Sequence, residues 1–134
     1  MYSAILVAAL STVTIHAPRA DLTLEVARTE AQREYGLMNR TQVPSHTGMI
    51  FVFDADAPIQ FWMKSTLVPL DMIFIGSDGT VRRIYANVAV ASPATPDEAI
   101  PREGGDAKYV IELRAGEAAQ DGIVAGLRLD LRAL

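Results

Sequence analysis

The stretch Phe61-Trp62-Met63-Lys64-Ser65-Thr66-Leu67-Val68-Pro69-Leu70-Asp71-Met72-Ile73-Phe74-Ile75 constrains this chain more than any other. It contains the only tryptophan and sets two charges, Lys64 and Asp71, among apolar residues. Side chains alternate along a strand. Phe61 and Met63 therefore share one face, and Trp62 and Lys64 the other. Beyond Pro69, residues Leu70, Met72 and Phe74 take one face while Asp71, Ile73 and Ile75 take the opposite one. An antiparallel hairpin with Lys64 opposite Pro69 would set Phe61 against Met72 and Trp62 beside Asp71. Lys64 would then lie diagonal to Asp71 and within reach of it. The expectation is a hairpin with one core face and one face carrying a Lys64–Asp71 ion pair.

The remaining segments read as short strands. Thr12-Val13-Thr14-Ile15 and Leu22-Thr23-Leu24-Glu25-Val26 alternate and form a second expected hairpin. Thr29-Glu30-Ala31-Gln32 matches a helix capping box, with Gly36 placed to end a short helix. Met49-Ile50-Phe51-Val52-Phe53 is apolar on both faces, as a central strand is. An Asp78-Gly79 turn leads into a strand at 81–86. Residues 88–107 are rich in Ala, Pro, Gly and acids, and read as a long loop over one end of the fold. A strand follows at 109–114, then one or two helical turns stopped by Gly122, then a closing strand at 126–131. These elements predict an α+β domain: a β-rich, mostly antiparallel small barrel or meander of seven to eight strands with two short helices.

At 134 residues the chain suits a single globular domain. We expect that domain over 21–134, preceded by an N-terminal segment over 1–20. The apolar run at 4–10 reads either as an edge element docked on the core or as the remnant of an export signal. No segment has the length of a membrane span. A net charge of −4 argues against binding the phosphate backbone of nucleic acids. With no cysteine, disulfides and thiolate chemistry are excluded.

No nucleophile elbow, P-loop or dinucleotide glycine pattern occurs. His16 and His46 are far apart and lack a spaced third ligand, so they read as solvated loop histidines and no metal or cofactor is expected. The methionines sit on apolar faces and read as core. Asp71 stands out, because a carboxylate among apolar neighbours must be paired, hydrogen-bonded or neutralised. It reads either as half of a structural ion pair with Lys64 or as the polar floor of a pocket walled by Trp62.

The chain also resembles the domain-of-unknown-function 192 family of bacteria and archaea. The resemblance rests on Gly36-Leu37-Met38 with Arg40, Gly48-Met49-x-Phe51-x-Phe53, and Phe61-Trp62-Met63-Lys64-x-Thr66-x-x-Pro69-Leu70-Asp71 with Phe74. Glu112-Leu113-x-Ala115-Gly116 and Gly122-Ile123 extend it, so that it covers roughly residues 20 to 131. Ser65 stands where the family commonly has asparagine, and Leu127 where an acidic residue often follows the glycine. The family carries no established activity. Its members often follow an export signal or lipid anchor, which implies a periplasmic or envelope-associated location over the cytoplasmic alternative. The resemblance marks Arg40, Trp62, Lys64, Thr66 and Asp71 as candidate binding positions. The best functional expectation is a non-enzymatic module that binds a small organic ligand or a peptide end in a cleft beside Trp62, Lys64 and Asp71. The alternative is an enzyme using Asp71 as general acid or base, tuned by Lys64.

Overall fold

The computed structural model describes residues 9–134. Most of the apolar run at 4–10 lies outside them. Six strands, β1 (Thr12–His16), β2 (Asp21–Ala27), β3 (Thr47–Trp62), β4 (Leu70–Ile75), β5 (Val81–Val88) and β6 (Arg102–Arg114), form one sheet in the order β1-β2-β3-β6-β4-β5. Helix α1 (Glu30–Tyr35) carries the chain from β2 to β3, and among the described residues that pair alone is parallel. The capping box is present: Thr29 Oγ1 accepts from the Gln32 amide at 3.1 Å, and Gln32 Oε1 accepts from the Thr29 amide at 3.0 Å. Helix α2 (Glu117–Gln120) is a single turn after β6.

The expected hairpin between residues 61–64 and 69–75 does not form. β6 lies between β3 and β4 and pairs with both, so Phe61 faces Glu103 and Met72 faces Glu112. Insertion of a strand from forty residues further along satisfies both inner edges of β3 and β4. The strand count falls to six because 61–62 is the end of β3 and 126–131 makes only an isolated bridge, Thr80 to Arg128. β1 and β5 stay at opposite edges, so the sheet is open rather than a closed barrel.

The core is split by the sheet. One cluster gathers Ile15, Leu24, Ile50, Ile73, Ile111 and Leu113, and the other gathers Met49, Phe51, Met72, Phe74 and Val110. The second cluster is closed by a fold-back of the β3–β6 ribbon. The register shifts between Val52 and Ala57, and the Phe51 and Phe61 rings lie 4.8 Å apart edge to face. Ten residues of straight strand would span about 33 Å. Phe61 also meets Phe53 and Phe74, and Phe74 meets Tyr85, all edge to face. Gly104 and Gly105, expected in a loop, are strand residues of this ribbon. A Cβ on Gly105 would meet the Phe74 ring at 3.5 Å, and the Tyr85 hydroxyl donates to Gly104 O at 2.5 Å, so small residues let the ribbon lie close.

Candidate functional site

Asp71 is 1 % exposed and sits on the Leu113 side of the sheet. Its Oδ1 accepts from the amides of Asn87 at 2.9 Å and Gly116 at 3.1 Å, and its Oδ2 accepts from the Ala118 amide at 2.9 Å. The carboxylate thus binds the start of α2 and the end of β5 to β4. The expected Lys64 partner is elsewhere: Lys64 Nζ pairs with Asp97 Oδ2 at 2.7 Å. Once β6 separates β3 from β4, the diagonal contact between the two charges no longer exists.

The fold-back leaves an open cleft of about 470 Å³ on the other side. Helix α1 supplies Glu30, Arg33, Glu34 and Tyr35, with Met38 just beyond it; β3 supplies Phe51, Phe53, Ile59, Gln60, Phe61 and Trp62; Lys64 and Thr66 follow from the next turn. Trp62 is half-buried, with the Arg102 guanidinium 4.4 Å and the Lys64 ammonium 5.2 Å from its ring centroid. Such cation–ring contacts attract through the ring quadrupole, each by about 0.5–1 kcal/mol at exposed sites. Arg33 stands 4.9 Å over Phe53 and donates to Val52 O at 3.1 Å. Thr66 is buried and its hydroxyl donates to Lys64 O at 3.1 Å. This shapes a tight turn in which Ser65 adopts φ +52, a left-handed conformation that asparagine enters more readily than serine.

The five expected positions therefore divide. Trp62, Lys64 and Thr66 line one cleft. Arg40 pairs with Glu25 in a separate depression lined also by Leu37, Val43 and Pro44. Asp71 is enclosed beneath α2.

Three further acids are buried that sequence reading passed over. Glu112 on β6 lies between Met49 and Met72 and is 5 % exposed; burial pushes its carboxyl up to about 8. Glu117 and Asp121 flank α2 on its buried side. Burial pushes the Glu117 carboxyl up, yet the His46 amide, the Ser45 hydroxyl and the Arg114 guanidinium together hold it below the usual value. Two signs of Glu112 stand in the sequence: its place in a strand flanked by apolar residues, and its place in the Glu112-Leu113-x-Ala115-Gly116 part of the family resemblance.

The model of DUF192, a family described as Uncharacterized ACR, matches residues 12–131, and the chain belongs to that family. Two solved structures are similar. One is a protein of Sinorhizobium meliloti 1021 described as a candidate transcription regulator, with 39 % identity, a TM-score of 0.79, and coverage of 91 % of this chain and 95 % of that one. The other is a protein of unknown function from Novosphingobium aromaticivorans DSM 12444, with 31 % identity, a TM-score of 0.77, and coverage of 96 % of this chain and 91 % of that one. No curated protein matches the chain. Among the described residues, no helix is long and apolar enough to cross a membrane.

Proposed function

We propose that the protein is a non-enzymatic binding module whose cleft beside Trp62 takes a small organic ligand, or a peptide end, with an apolar ring and an anionic group. The observation that carries this reading is the half-buried indole of Trp62, fixed by two cations at the rim of a cleft lined with aromatic rings. The volume lies in the range of small-ligand sites, and the lining has the expected mixture of apolar walls and a few polar groups. Lys64 is the anion-binding group. Its partner Asp97 is exposed, and an exposed ion pair holds its members weakly, so an incoming carboxylate displaces Asp97 at small cost. Thr66 shapes the turn that presents Lys64.

The enzyme alternative is less favoured. Asp71 is enclosed and its oxygens are taken up by three amides, so it has no route to a substrate proton. The Sinorhizobium relative is described as a candidate transcription regulator; direct DNA binding by this chain fits poorly with a net charge of −4. The apolar run at 4–10 suits a periplasmic or envelope-associated place for this module.

The test is a thermal-shift screen of small aromatic carboxylates and short peptides. A compound that raises the melting temperature of the wild type, but not of Lys64→Ala or Trp62→Ala, supports the cleft. Stabilisation retained in both variants puts the site elsewhere, and a panel without any binder counts against the reading.

A further inference from the structure

His46, Glu117 and Asp121 come from opposite ends of the chain to one place beside α2. Each offers one ligand atom, and these atoms lie within 4.8 Å of one another. His46 Nδ1 is 3.1 Å from Asp121 Oδ2 and 3.8 Å from Glu117 Oε2. We infer that these three side chains form a binding site for a divalent first-row transition-metal ion.

Four observations carry this. First, two of the three separations fit, and the third is no longer than 4.8 Å. Ligand atoms at ~2.1 Å from a tetrahedral ion stand about 3.4 Å from one another, and the two measured edges bracket that value. Second, Glu117 Oε2 is buried and has no hydrogen-bond donor among the described residues, although the Glu117 side chain is 0 % exposed. An unpartnered carboxylate oxygen is costly in such a place, and a cation there removes the cost. Third, the other oxygen is already held: Oε1 accepts from the His46 amide at 2.6 Å and from the Ser45 hydroxyl at 3.0 Å, with Arg114 Nε at 3.4 Å. That fixes the orientation of Oε2, in the manner of the outer groups that aim metal ligands. Fourth, the His46 side chain is 45 % exposed, which gives an ion a way in and leaves room for a water or a further ligand.

Charge and ligand type narrow the ion. Among the described residues, the two carboxylates face one guanidinium, that of Arg114, so the site is net negative. A ring nitrogen with two carboxylate oxygens suits Zn²⁺ and its neighbours better than Mg²⁺ or Ca²⁺, which favour all-oxygen shells. The site would join residues 45–46 to 117–121 and tether the loop ahead of β3 to α2.

Titration of the metal-free full-length chain with Zn²⁺, followed by calorimetry and by melting temperature, tests this. Binding of one ion per chain with a raised melting temperature is expected, since a ligand of the folded state alone stabilises it. His46→Ala should weaken binding by at least about 100-fold, more than the loss of an outer-shell partner costs. His16→Ala should bind as the wild type does, although His16 lies 2.6 Å from the Asp21 carboxylate and is the other place a surface ion would choose. Co²⁺ should give visible absorption bands that His46→Ala abolishes, and millimolar Mg²⁺ or Ca²⁺ should not displace it. If His46→Ala does not fold, His46→Gln replaces it with the same expectation. Absence of one-to-one binding, retention of binding without His46, or its loss with His16 would overturn the proposal and leave a His46–Asp121 hydrogen bond only.

Discussion

Asp71 and Glu112 are acids on neighbouring strands, buried on opposite faces of one sheet. Asp71 pairs with Leu113, and Glu112 with Met72. One receives three amide donors; the other lies between two methionines, where burial is the one influence on its titration. Burial alone therefore does not decide what an acid does in this fold. Asp71 lies where two chain segments end and have free N–H groups to place. Glu112 lies mid-strand, where every neighbouring backbone group is already committed to the ladder. The first acid organises its surroundings, while the second is kept protonated by them.

The comparison is broken most severely at Asp71. Asp71→Ala removes the acceptor for three amides, and at roughly 1–3 kcal/mol per stranded donor the loss should be on the order of 5 kcal/mol. Asp71→Asn keeps one acceptor oxygen and should cost less. Urea unfolding at neutral pH measures both, and a loss below about 1 kcal/mol for alanine would contradict the structural role.

Glu112 is tested by pH. Its carboxyl keeps its proton to about 8 in the folded chain and gives it up near 4.5 when unfolded. Between those values the folded state binds more protons, so stability falls as pH rises. The contribution is complete below the unfolded value and is lost as pH passes through the folded one. A tenfold difference in proton affinity between the folded and unfolded chain corresponds to about 1.4 kcal/mol. Glu112→Gln should therefore be more stable than the wild type by on the order of 5 kcal/mol at pH 9, with little difference at pH 4. Parallel stability curves for the two proteins from pH 4 to 9 would show that Glu112 does not titrate this way.

The smallest effect sharpens the Asp71 side of the contrast. Thr29 and Gln32 do for α1 at the surface what Asp71 does for α2 inside. Water can replace a lost cap at the surface, so Thr29→Ala should cost only about 1 kcal/mol. An unfolding midpoint unchanged from the wild type would count against the cap.

Sequence reading recovered what local rules determine. The capping box, the first hairpin and the β-rich class all follow from spacing and alternation. So does the conclusion that Asp71 needs partners. Its particular partners were not legible, because they are amides of residues 87, 116 and 118 and amides carry no residue-type signal. The 61–75 hairpin failed for a related reason: adjacency favours it, and nothing local announces that β6 will enter between the strands. Gly104-Gly105 read as loop because glycine usually marks one, whereas here it lets a ribbon fold onto Phe74. Of the candidate site, Trp62, Lys64 and Thr66 were found together because they are neighbours in sequence. His46 has no third ligand within a motif's length in the sequence, because the carboxylates it meets in space lie 71 and 75 residues further along the chain.

The cleft is the centre of the functional reading, and the single tryptophan makes it directly observable. Emission of Trp62, recorded while a stabilising aromatic carboxylate is titrated into the wild type and into Lys64→Ala, is the most direct measurement. A saturable change in intensity or wavelength in the wild type, weakened about threefold to fivefold in affinity in the variant, is the expected result; about fivefold corresponds to one exposed charge contact of roughly 1 kcal/mol. A ligand that stabilises the protein while the emission of Trp62 stays unchanged would contradict it.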